Sequence, residues 1–95
     1  MSNLIRTNNS NVARLWANSV PARSSNDQFS TDGHDLYSYR KLIGKTIAGE
    51  KIIFDYTAPA GHCISQTTSC HVSHGKRYAD QVMDVDVAKE AGLIL

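Results

Sequence analysis

Apolar positions in this chain fall in short clusters separated by polar, turn-forming stretches. In "NNSNVARLWANSVP", Val12, Leu15, Trp16 and Val20 recur at helical spacing and share one face. Asn9 or Ser10 is suited to cap that helix and Pro21 to stop it. Trp16, the only tryptophan, is expected to seat the helix on a sheet. Residues 1–8 before it read as frayed, and "PARSSNDQFSTDGHD" after it, residues 21–35, reads as a long polar loop. Loops of that length tend to be functional or mobile.

Three strands are expected next. "LYSYR" alternates, with Tyr37 and Tyr39 on one face and Leu36 and Ser38 on the other. "KLIGKTIAGEKIIFDYT" reads as a hairpin, Leu42 to Ile47 and Lys51 to Tyr56, turning near Ala48-Gly49-Glu50. "CISQ" offers a short fourth strand. Beyond it Thr67 or Thr68 is suited to cap a helix over 68–82, with Val72, Gly75, Ala79 and Val82 inside. Gly75 weakens that helix by about 1 kcal/mol relative to alanine, tolerable if it lies against the sheet. A last helical piece, "DVAKEAG", leads to an apolar tail, Leu93 to Leu95, which either docks on the core or sticks to a partner. The expected architecture is α+β: one small domain, residues 1–95, in which an antiparallel sheet of three to four strands is packed by an N-terminal and a C-terminal helix.

Composition narrows the function classes. Ten basic against nine acidic residues leave a formal charge of +1. A dedicated nucleic-acid binder carries a clear basic excess, because counterion release supplies its affinity. The start lacks the apolar run of a signal peptide and no membrane-length apolar stretch follows, so a cytoplasmic protein is expected, with Cys63 and Cys70 as reduced thiols.

The densest chemistry lies in "HCISQTTSCHVSHGKRYAD", residues 62–80. Cys63, Cys70, His71 and His74, with His62, are zinc-type donors, and Cys70 and His74 share a helix face. Their spacing lacks two separated close pairs, so no metal ligand or cofactor is assigned. Cys70 with His71 or His74 has the makings of a thiolate nucleophile, but no orienting Asp or Asn is evident and no catalytic residue is assigned. The helix start, with its hydroxyls, reads either as plain capping or as an anion site helped by Lys76 and Arg77. Candidate binding residues are therefore Thr68, Ser69, His71, His74, Lys76 and Arg77. Tyr37, Tyr39 and Tyr56 fit the core, with base stacking as the alternative that makes Tyr37 and Tyr39 accessory binding residues.

Three stretches, "VARLWAN" (12–18), "LYSYR" (36–40) and "ISQTTSCHV" (64–72), together resemble a loose group of small uncharacterised proteins common in bacteriophage genomes. In that group a W-A-N helix precedes a Y-S-Y strand, and a T-T-S-x-H segment follows the last strand. Here those positions are Trp16, Ala17 and Asn18; Tyr37, Ser38 and Tyr39; and Thr67, Thr68, Ser69 and His71. Arg40 stands where the group usually has glycine, and "APAGHC" lengthens the connection before "ISQTTS". The resemblance implies a viral origin and action inside a bacterium rather than a reaction. The expected function is a non-enzymatic accessory protein that binds a host or defence-system macromolecule, a protein in the first place, and modulates or inhibits it. Nucleic-acid binding by the polar face of the 68–82 helix and a small zinc-binding domain are the alternatives, and no membrane partner is expected.

Overall fold

In a computed structural model of the chain, which describes residues 5–57 and 66–94, the sheet is larger than the sequence pattern implies. The elements are β1 (Ile5–Thr7), α1 (Asn9–Ala17), β2 (Ala22–Ser24), β3 (Phe29–Thr31), β4 (Leu36–Ser38), β5 (Lys41–Ile47), β6 (Glu50–Phe54), α2 (Gln66–Lys76), β7 (Gln81–Met83) and α3 (Val85–Glu90). They build one seven-stranded sheet whose spatial order is the sequence order. The five central strands are antiparallel, while β1 joins β2 and β7 joins β6 in parallel. This mixed sheet with three short helices replaces the expected antiparallel sheet of three to four strands; the α+β class stands.

The additional strands lie where polarity pointed to irregular chain. β1 occupies part of the segment read as frayed, and β2 and β3 lie in the segment read as a loop. Their inward polar residues are buried because their hydroxyls serve neighbouring turns. Ser24 Oγ accepts from the Gln28 and Phe29 amides, at 3.2 and 3.1 Å, and donates to Asn26 Oδ1 at 2.7 Å. Thr31 Oγ1 accepts from the Gly33 amide at 3.0 Å and donates to the Asp35 carbonyl at 2.7 Å. β7 was hidden inside the expected 68–82 helix. That helix stops at Lys76, and Asp80 then locks onto β6: its amide donates to the Lys51 carbonyl and its carboxylate accepts from the Lys51 amide, each at 2.8 Å. Ala79 and Val82 therefore lie outside the helix. The expected strand at "CISQ" falls on residues 63–65, outside the described set, and Gln66 opens α2.

Other local readings hold with small shifts. Asn8, one position before the expected caps, accepts from the Asn11 amide at 2.9 Å. α1 ends before Pro21, because Ser19 turns left-handed (φ 60°) and the amides of Ser19 and Val20 return to the carbonyls of Trp16 and Leu15. Ala48 (φ 52°) and Gly49 (φ 81°) form the tight turn between β5 and β6, both left-handed as a two-residue hairpin turn requires.

Chain direction decides where the helices go. β2 and β6 run the same way, because four antiparallel steps separate them. The connections β1–α1–β2 and β6–α2–β7 also step the same way along the sheet. Crossovers of one hand then place both helices on one face, and α1 and α2 do pack against each other. That face carries the cross-strand row Ala22, Thr31, Leu36, Gly44 and Ile53. Trp16 is fully buried over Gly44, where a Cβ would lie 3.0 Å from its ring. Gly75 of α2 sits closer still over the sheet, where a Cβ would lie 2.6 Å from Ile53 and 3.2 Å from Leu36, the packing that makes a helical glycine tolerable.

The opposite face is divided. Lys51 to Phe54 are all buried, so β6 is covered on both sides. Val85 and Ala88 of α3 join the core, Leu93 and Ile94 pack against it, and the turn at Gly92–Ile94 lies beside Lys41 and Leu42. The apolar tail thus docks as far as it is described. Over β1–β4, no described element covers the sheet.

Lys51 pins the helical side. Its buried ammonium donates to Ser19 Oγ (3.0 Å), the Gly33 carbonyl (2.9 Å) and Thr46 Oγ1 (2.6 Å), and lies 5.8 Å above the Trp16 ring. Burial lowers its pKa from the ordinary lysine value. Lys51→Met keeps the stem but leaves those acceptors without their donor. We expect it to lower unfolding stability by about 2 kcal/mol in urea titration.

Candidate functional site

The residues expected to converge on α2 are dispersed by the fold. Thr67 and Thr68 lie within its first turn rather than capping it. Thr68 and His71 face inward with Val72 and Gly75, a helical i, i+3, i+4, i+7 stripe. His71 Nδ1 lies 2.7 Å from Ser38 Oγ, which lies 3.0 Å from Thr68 Oγ1, and all three residues are buried. The His71 ring stacks on Phe29, with centroids 4.5 Å apart and planes within 4°. This Ser–His contact is sealed beneath the helix, where it joins α2 to β4.

Lys76 meets Asp55, Nζ to Oδ1 at 3.0 Å. Burial alone would raise the Asp55 pKa, but hydrogen bonds from Thr57 and Lys76 bring it below the ordinary value. The end of α2 that holds Lys76 is about 15 Å from its start, too far to help bind an anion there. Arg77 is exposed just past that end, and Ser69 is half-buried, its carbonyl accepting from Ser73 Oγ at 3.0 Å. His74 is half-buried, and its Nδ1 has no hydrogen-bond partner among the described residues. Cys70 is free and exposed while the neighbouring His71 ring points inward, so the two do not form a thiol–imidazole pair. Among the described residues no three His, Cys, Asp or Glu side chains gather to hold a metal; His62 and Cys63 lie outside that set.

The tyrosines also depart from expectation. The alternation in β4 is real, but Leu36 and Ser38 face the core. Tyr39 is exposed and left-handed (φ 57°), Tyr37 is half-buried on the open side, and only Tyr56 of the three is buried.

Strand register assembles a different candidate site on the uncovered half of the sheet. Arg6 pairs with Arg23, Arg23 with Ser30, and Ser30 with Tyr37. These four form one cross-strand row about 14 Å wide. Pro21, Arg23, Ser30, Asp32 and Tyr37 line a shallow groove of about 380 Å³ beside it. Burial and the adjacent Asp35 raise the Tyr37 pKa, and its hydroxyl donates to Asp35 Oδ2 at 3.3 Å. Asp27 bridges the arginines, 2.9 Å from Arg6 Nη1 and 3.7 Å from Arg23 Nε. Only Tyr37 of this row was a candidate from sequence. Arg6 and Arg23 stood in segments read as frayed end and loop, and only strand pairing brings them together.

Burial, with the nearby His74 charge, lowers the His71 pKa from 6.5 to about 4. The unfolded chain therefore takes up this proton first as pH falls, and the folded state loses stability between those values, by about 3 kcal/mol in full. We expect unfolding stability to drop between about pH 6.5 and pH 4.5, and His71→Phe, which keeps the stack on Phe29, to flatten most of that slope. An unchanged slope in the variant would assign it to other groups.

No protein-family model matches this chain, and no curated protein or solved structure matches it either.

Proposed function

We propose that this protein is a non-enzymatic binding module that engages a partner protein through the open half of its sheet. The observation that carries the reading is the row Arg6, Arg23, Ser30 and Tyr37, displayed on a face that no described element covers. Arginine and tyrosine are the residue types that anchor protein interfaces, because each combines a large flat contact surface with directional hydrogen bonds. The rigid sheet beneath holds them at fixed spacing, so little ordering accompanies binding. In the setting implied by the phage-like segments, the partner is a host or defence-system protein and the compartment is the bacterial cytoplasm. Among the described residues no helix is long and apolar enough to cross a membrane.

A tyrosine and two arginines on a sheet face would also suit a single nucleic-acid strand. Charge favours the protein partner. Asp27, Asp32 and Asp35 border the row, and a continuous phosphate backbone would meet them as well as the arginines.

The test is capture from host lysate with tagged protein, comparing wild type with Arg23→Glu, Tyr37→Ala and, on the far side, Arg77→Ala. We expect one set of captured proteins to be lost with the first two variants and kept with the third. Capture indifferent to Arg23 and Tyr37 would refute the sheet-face reading.

A further inference from the structure

Like charges placed directly opposite each other on neighbouring strands are destabilising. The register puts Arg6 and Arg23 in that relation on the open face. One carboxylate relieves them: Asp27 Oδ1 hydrogen-bonds Arg6 at 2.9 Å and approaches Arg23 at 3.7 Å, beyond hydrogen-bonding range. A guanidinium carries five N–H donors in a planar fork, so most donors of the pair are not engaged by Asp27. Two guanidinium groups sharing one carboxylate leave a local charge of about +1. The other carboxylates nearby already have partners of their own. Asp32 Oδ1 accepts from the amides of His34 and Asp35, and Asp35 accepts from Tyr37 and lies 3.8 Å from Lys45.

Asp27 is also easily displaced. Its backbone is left-handed (φ 61°), and both of its ion pairs are exposed. Such pairs contribute little, because water screens them. The turn around it does not need its carboxylate: the Asp27 amide donates to the Ser24 carbonyl, and Ser24 Oγ holds Asn26, Gln28 and Phe29. The Asp27 side chain can swing out while the turn keeps its shape.

Resting on the sheet-face reading above, we infer that the Arg6–Arg23 pair is a receptor for a carboxylate on an acidic segment of the partner protein, and that Asp27 fills the receptor in the free protein. Binding exchanges one carboxylate for another. The incoming one can use the donors Asp27 leaves, and the adjoining groove offers the Ser30 hydroxyl and the Tyr37 ring to its neighbour. The carboxylates of an acidic segment stand on separate flexible stems, so one can enter the pair while its neighbours turn away from Asp32 and Asp35; consecutive phosphates are fixed in their backbone and cannot.

The test is fluorescence anisotropy with a blocked, dye-labelled octaglutamate peptide at low salt, with octalysine and an oligothymidylate as comparison probes. Octaglutamate is expected to bind and to weaken with added salt. Asp27→Asn, which tolerates the same backbone conformation, should tighten it about two- to fivefold, the scale of one exposed ion pair. Arg6→Ala with Arg23→Ala should abolish binding, and Arg6→Lys with Arg23→Lys should keep only part of it, because an ammonium lacks the fork. Octaglutamate failing to bind, or binding no tighter with Asp27→Asn, would overturn the inference. So would oligothymidylate binding more tightly through the same two arginines. Lysate capture that depends on Arg23 and Tyr37, beside octaglutamate that does not bind, would sink this inference and keep the sheet-face reading.

Discussion

The seating of Trp16 on Gly44, closed over by the Lys51 ammonium, is the contact on which the rest of the fold depends. Trp16 is the largest buried side chain, and it fits here only because Gly44 of β5 carries no side chain. Its Nε1–H donates to the His34 carbonyl at 2.9 Å, so the ring also holds the turn between β3 and β4. Lys51 completes the arrangement by tying Ser19 after α1, Gly33 in the same turn, and Thr46 on β5. A charged group is buried here among neutral acceptors, and its three donors are all used. Helix, turn and hairpin are thereby fixed to one another through two side chains.

With α1 fixed on this face, the sheet's direction leaves little freedom for α2. The two crossovers step the same way between strands that run the same way, so both helices lie together. Among the described residues, only α3 and the turn after it lie on the other face, beside its β5–β7 half. No described element covers the β1–β4 half of that face. The row there, with Arg6 exposed and Arg23, Ser30 and Tyr37 half-buried, holds arginines, a serine and a tyrosine rather than a scatter of lysine and glutamate, the composition of a contact surface rather than of a solvated one. The proposed function rests on that combination of topology and residue choice.

Much of this was legible in the chain. The α1 face, the role of Trp16 and the Ala48-Gly49 hairpin turn all follow from spacing and turn chemistry. Of the three-residue strands only β4, inside the alternating "LYSYR", does; β1, β2, β3 and β7 do not, because three residues carry too little alternation to register. Ser24 and Thr31 sit inward as hydrogen-bonded hydroxyls, which resemble loop residues in sequence. β7 was lost for another reason: apolar Ala79 and Val82 continue the α2 spacing, and only the Asp80–Lys51 backbone pairing shows that the chain has left the helix. The candidate site suffered the same limitation. His71 and Thr68 had the right chemistry for a ligand, yet a partner thirty residues or more distant, Ser38, draws them inward. Arg6 and Arg23 became neighbours only through a parallel pairing that neither segment advertises.

The central claim is that the sheet has one covered and one open half on its second side. It is tested most directly by fluorine NMR of protein carrying fluorotyrosine, with a soluble paramagnetic chelate added. Tyr39, 48% exposed, and Tyr56, 4% exposed, set the limits of the scale. Tyr37 is expected to relax between them and clearly faster than Tyr56. Tyr37 as protected as Tyr56 would mean that the β1–β4 half is covered and is not free to dock a partner.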